Sequence, residues 1–191
     1  MKFTILILLY LGFFLSSFSQ SNLQQSEKEK RLYNYIKDHF VIESESLGFN
    51  AVMESEIWKR ADSLFRNLSL TKTLTYFHDS SYAVKYYAFL KLLYLNENLA
   101  WSNLKSSISD TTKIYFTFGD LGGYERFNQL IVFEYGDFLD YRYKSGWTFD
   151  VAERHYFGNH RAHFSKANLK TWQIKYKEFY NLIHLHSLKY P

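Results

Sequence analysis

Three histidines fall close together in "RHYFGNHRAH": His155, His160 and His163. Neutral imidazoles ligate zinc or copper, and three well-placed ligands backed by orienting partners make a catalytic zinc site. On a helix His160 and His163 would share a face, with His155 across a turn at Gly158. No H-E-x-x-H, no cysteine and no nearby carboxylate besides Glu153 accompanies them. The segment therefore reads first as surface or aromatic-packed histidines, and second as a metal site.

Other chemistry is thinner. Asp137 with Asp140, or Asp150 with Glu153, could supply an acid and a base for glycoside cleavage, but sequence spacing sets no separation in space. In "GDLGGYERF" the glycines Gly119, Gly122 and Gly123 fit neither G-x-G-x-x-G nor the P-loop, so a turn is expected there. No G-x-S-x-G elbow occurs. With no motif behind it, catalysis is not expected, and no cofactor is called for. The stretch "FEYGDFLDYRYKSGWTF" could offer an aromatic platform to a sugar, a peptide or a partner protein. The simpler reading is that its rings build the core.

These groups must be positioned by a chain of 191 residues, enough for one domain with a real core. The chain has no cysteine, which excludes disulfides, thiolate chemistry and a lipid-attachment cysteine. Aromatic residues make up 20% of it, with 17 Tyr and 18 Phe, and these rings must supply the core. The first nineteen residues, "MKFTILILLYLGFFLSSFS", combine Lys2, an apolar run from Phe3 to Phe14, and small residues at Ser17 and Ser19. That is the pattern of a secretory signal peptide cleaved between Ser19 and Gln20, giving a periplasmic or extracellular protein with no transmembrane span in its mature chain. Without Lys2 the balance is 22 basic to 19 acidic residues. Nucleic acid is a disfavoured partner at so small a net charge. Residues 154–191 hold seven Lys or Arg against the lone Glu178, read as one solvated helix face.

Residues 20–26 read as a flexible lead-in and residues 27–191 as a single α-helical domain. A first helix is expected over 27–44, with Leu32, Ile36 and Phe40 on one stripe. A second starts at Ser55, where Ile57, Ala61, Leu64, Phe65 and Leu68 share a face. Asp79, Ser80 and Ser81 offer cap oxygens to a helix from Tyr82 to Leu95 that is apolar nearly all round and so must be covered on several sides. Asn96 to Asn98 then turn the chain into a partner helix carrying Leu99, Trp101, Leu104 and Ile108. Residues 113–150 leave room for a short extended segment: "KIYFTFGDLGGYERF" could be a strand, a crossover or a helix end, and "QLIVFEYGDFLDYRY" a helix broken near Gly136 or two strands. Ser165 is expected to cap a final helix with Leu169, Trp172, Tyr176, Phe179, Tyr180 and Ile183 on one face.

"DSSYAVKYYAF" followed by "LKSSISDTTKIYFTFGD" resembles a segment of small, exported, HEAT-like helical repeat proteins of bacteria. The resemblance lies in a small polar cap before Val84, Tyr87, Ala88 and Phe89, and in a later D-T-T turn, with Ile114 where the pattern has valine. It covers about a fifth of the chain, implies HEAT-like helical hairpins, and carries no catalytic residue. The expectation is an exported, mainly α interaction or scaffold module whose partner is a protein or a cell-envelope component. The alternative is a histidine-dependent metal-binding protein or hydrolase.

Overall fold

Serine and asparagine side chains mark where the helices begin. In the computed structural model, which describes residues 26–47, 53–148, 151–158 and 166–189, α1 (residues 26–39) leads into strand β1 (Val41–Leu47) and the short β2 (Met53–Glu54). Ser55 then caps α2 (Glu56–Phe65), its hydroxyl accepting the Trp58 N–H at 2.9 Å. Ser69 does the same for α3 (Leu70–Phe77). Ser81 caps α4 (Tyr82–Leu95), and its own N–H is held by Asp79 Oδ1 at 2.8 Å, which explains the polar cluster before that helix. Asn96 serves two helices. Its N–H closes α4 on Leu92 O, and its side chain accepts Leu99 N–H to open α5 (Glu97–Ser107). Each such cap satisfies an orphan donor and is worth about 1 kcal/mol.

α4 is the axis of the core. Ala83, Val84 and every residue from Tyr86 to Leu93 are buried, and α2, α3, α5, α6 and β1 all pack against it. The expectation that this helix needs neighbours on several sides holds, and α5 follows it after a single non-helical residue. Strand β3 (Lys113–Gly119) and strand β4 (Leu121–Arg126) then form a hairpin, with Gly119 at φ +63 in its turn. α6 (Phe127–Leu139) starts straight from β4 without a side-chain cap. Its first donors go instead to the 110–112 segment, Phe127 N–H to Thr112 O and Asn128 N–H to Asp110 O. A π-helical turn follows at Asp140–Lys144, another lies at Val151–His155, and α7 (Leu169–Leu185) buries Phe179 and Ile183.

The protein is thus mainly α with a small sheet, and three expectations need correction. The helix expected over 27–44 stops at His39. Phe40 takes φ +52, and Val41 onward is a strand whose Ile42 is fully buried. This strand lies outside the 113–150 region where an extended segment was allowed, so the 27–191 domain is not purely helical. α6 runs unbroken through Gly136, which is buried within it. α7 is capped by Asn168, while Leu169 and Tyr180 are exposed rather than inward; Ser165 lies outside the described residues. The sheet order is β2-β1-β3-β4, with β1 and β3 parallel and the other pairs antiparallel. α2 to α5 form the crossover between β1 and β3, setting the outer sheet face beside the start of α4. No described helix is long and apolar enough to cross a membrane.

Candidate functional site

Of the three candidate histidines, His155 is described; His160 and His163 lie outside the described residues. His155 ends the π-helical turn Val151–His155, and its Nε2–H donates to Glu134 Oε2 at 2.7 Å. Glu134 stands on α6 with a side chain only 7% exposed, and its other oxygen accepts a hydrogen bond from the buried Tyr86 hydroxyl of α4. Burial alone would lower the His155 pKa, but the Glu134 charge and hydrogen bond outweigh it and the pKa lies above the ordinary imidazole range. For Tyr86, burial first and the Glu134 charge second push the phenol well up. The imidazole also packs against Tyr156 and Trp58, with ring centres 4.6 and 5.9 Å away. Among the described residues Nδ1 has no hydrogen bond, and no three His, Asp or Glu side chains gather as a metal cage.

The candidate carboxylates are engaged structurally. Asp140 Oδ1 accepts the Trp172 indole N–H at 2.7 Å, and Glu153 pairs with Arg66 at 2.8 Å. Asp137 is exposed on α6, and Asp150 lies outside the described residues. Arg66 also donates to Gly158 O, and the buried Lys91 ammonium donates to Arg66 O at 2.8 Å and to Phe157 O at 2.6 Å. These bonds tie the 151–158 segment to α2 and α4. They orient the backbone that carries His155.

Within the described stretch 133–148, Tyr135, Phe138 and Trp147 are buried, in line with the simpler reading; Phe149 lies outside the described residues. Tyr141 of this stretch is exposed, and further exposed rings lie outside it. A groove of about 720 Å³ lies between the end of α1, the start of α4 and the outer face of β3 and β4. Phe40 and Tyr124, 73% and 72% exposed, line it together with Tyr82, Lys113 and Tyr115. Tyr115 and Tyr124 meet edge to face at 5.3 Å, and the Tyr82 hydroxyl is held by Asp110 and Thr112. Lys113 lies directly opposite Arg126 in the ladder, and neither forms an ion pair among the described residues. Like charges facing across a ladder are unfavourable, so an anion set between them would be favoured. The sequence signal was the alternation in "KIYFTFG", whose odd positions face out. Of "GDLGGYERF", expected to be a turn, only Gly119 and Asp120 turn the chain; Leu121 to Arg126, with Gly122 and Gly123, form the second strand of the hairpin.

Comparison with protein-family models, with curated proteins and with solved structures finds no match.

Proposed function

We propose that the protein is an exported, non-enzymatic interaction module that holds an extended acidic segment of a partner protein in the groove on its outer sheet face. The observation that carries this reading is the set of exposed rings, Phe40, Tyr115 and Tyr124, beside the facing cations Lys113 and Arg126. Rings give contact area at low entropic cost, and the cations select the charge. Export is supported by the leader-like first nineteen residues. The test is fluorescence anisotropy with two labelled decapeptides, one rich in Glu and Tyr and one rich in Lys and Tyr. Saturable binding of the acidic peptide alone, lost in Lys113→Glu, supports the reading. Equal or absent binding of both overturns it.

A second reading, a histidine-dependent metal-binding protein or hydrolase, is supported by one feature. A carboxylate fixes one nitrogen of His155 while the other has no hydrogen bond among the described residues, the arrangement typical of metal-bound histidine. Stoichiometric metal in purified untagged protein, lost in His155→Ala, would favour it over the first.

A further inference from the structure

The sheet ends differently on its two sides. β2 closes one side with two residues, too short to template another strand. β4 closes the other with six residues, hydrogen-bonded to a strand on one side only among the described residues. β4 has no proline, lysine or bulge and exposes Leu121 and Tyr124; its charges, Glu125 and Arg126, stand together at one end and leave residues 121–124 uncharged. Gly123 adds a second observation. A Cβ built there would meet nothing within 4 Å, so packing within the chain does not require glycine at that position. A strand glycine with open space beside it is one of the places where another backbone can approach closely.

The register follows from the hairpin. Phe118 and Leu121 close it, and at its far end the Phe127 N–H donates to Thr112 O at 2.9 Å. Alternation between these two pairs turns the odd-numbered backbone groups of β4 toward β3 and those of Gly122, Tyr124 and Arg126 outward. The Arg126 N–H fits this parity, since it donates to the neighbouring Glu125 side chain and not to β3. A second copy related by a twofold axis can pair only outward groups with outward groups. Centring the axis on Glu125 would face that carboxylate with its own copy, and centring it on Tyr124 would set Arg126 against a glycine. Centring it on Gly123 places Tyr124 of each copy over Gly122 of the other and Arg126 opposite Asp120. An aromatic ring over a strand glycine is favourable, here sharing the space above Gly122 with the Tyr115 hydroxyl, which lies 3.1 Å from a Cβ built there, and Arg126 gains an opposite charge in Asp120 of the partner copy's hairpin turn.

We propose that β4 is a homodimer edge, two copies pairing antiparallel about Gly123 into one continuous sheet. The partner is a second copy because the strand is complementary to itself in this register. The dimer register engages Tyr124 and Arg126, which the groove reading also uses, so association is measured on the chain without peptide and the two readings fail separately.

The test is sedimentation velocity of the purified chain over a concentration series, with Gly123→Lys and Gly123→Glu variants. The open space at Gly123 lets either variant fold, which an unchanged circular-dichroism melt confirms. In the dimer each variant faces its own charge, weakening association about tenfold or more. The expected result is a concentration-dependent wild-type dimer, monomeric variants, and a heterodimer when the two variants are mixed. A wild type that stays monomeric, or variants that dimerise as it does, would overturn the proposal and leave the edge to a peptide strand.

Discussion

The imidazole of His155 and the carboxylate of Glu134 stand 2.7 Å apart, joining the π-helical turn Val151–His155 to the middle of α6. Because the Tyr86 hydroxyl donates to the other oxygen, one buried side chain links α4, α6 and the 151–158 segment. Glu134 is an acid in an otherwise apolar stretch of helix, so its position depends on both donors.

Removing the carboxylate strands both donors. Glu134→Ala is expected to cost about 3–5 kcal/mol, the usual penalty for breaking a buried charged pair. Glu134→Gln keeps a partner for Tyr86 but removes the charge, leaving burial to lower the His155 pKa from its raised value. A histidine with a raised folded pKa stabilises fully below its ordinary value of 6.5, and that stability is lost as pH rises through the folded pKa. The wild type should therefore lose melting temperature from pH 6 to pH 8, and Glu134→Gln should lose less. An imidazole NMR titration unchanged by Glu134→Gln would contradict this.

Lys91 sets a slope of the opposite sign. Burial first, and the neighbouring Arg66 charge second, lower its pKa from 10.5 to about 8. Between those values the unfolded chain binds more protons than the folded one, so stability rises with pH. Above pH 10 the buried Tyr86, Tyr87 and Tyr135, whose folded pKa values are raised, reverse the trend, because only the unfolded phenols ionise. Urea midpoints at pH 8, 8.5 and 9, below the phenol range, should climb in the wild type and stay flat in Lys91→Met. A parallel climb in the variant would assign the slope to other groups.

How much of this was legible in the chain depended on how local the cause was. α2 and α4 could be read from Ser55 and Ser81, whose side chains cap within three residues, and from the wheel of α4, while α5 was placed two residues late, Asn96 to Asn98 reading as a turn where Asn96 alone caps and Glu97 begins the helix. β1 could not, because Val41 pairs with Tyr115 and Ile42 with Phe116, so what makes residues 41–47 a strand lies across a long crossover. "VIESES" after the α1 stripe was the available cue, a β-branched pair followed by alternation. The partner of His155 was hidden for the same reason: Glu134 belongs to a different element, and its only local mark was being the one acid in "QLIVFEY". Exposure misled in α7, where Leu169 and Tyr180 fit the apolar stripe yet face water.

Ser55 combines two local roles and is fully buried. Its hydroxyl donates to Glu43 Oε2 at 2.5 Å while accepting from the α2 backbone, so it joins β1 to the cap. Ser55→Ala should lose both the cap and the charge-assisted bond, about 2–3 kcal/mol together. Ser69→Ala, whose longer cap bond is exposed, should lose under about 1 kcal/mol. Chemical denaturation of the pair checks the order, and equal losses would refute the role given to Glu43.

Phe40 and Phe157 take the same left-handed φ of +52, a conformation that strains any residue with a Cβ, and they should answer glycine in opposite ways. Phe157 is fully buried, with ring centres 4.8 Å from Trp58 and 5.9 Å from Phe65. Phe157→Gly should therefore cost about 3–5 kcal/mol despite relieving the backbone, because the cavity term dominates. Phe40 is 73% exposed and has little packing to lose. Relief of strain, worth about 1–2 kcal/mol, opposes the extra unfolded-state entropy of glycine, so Phe40→Gly should leave stability unchanged or up to about 1 kcal/mol higher. A strained ring kept at the surface against its own stability fits a residue retained for contact with a ligand. The same variant should weaken the acidic peptide in the anisotropy assay. Phe40→Gly that binds as well as the wild type would detach the ring from the groove's function, and one that loses more than about 1 kcal/mol would show that its packing outweighs its strain.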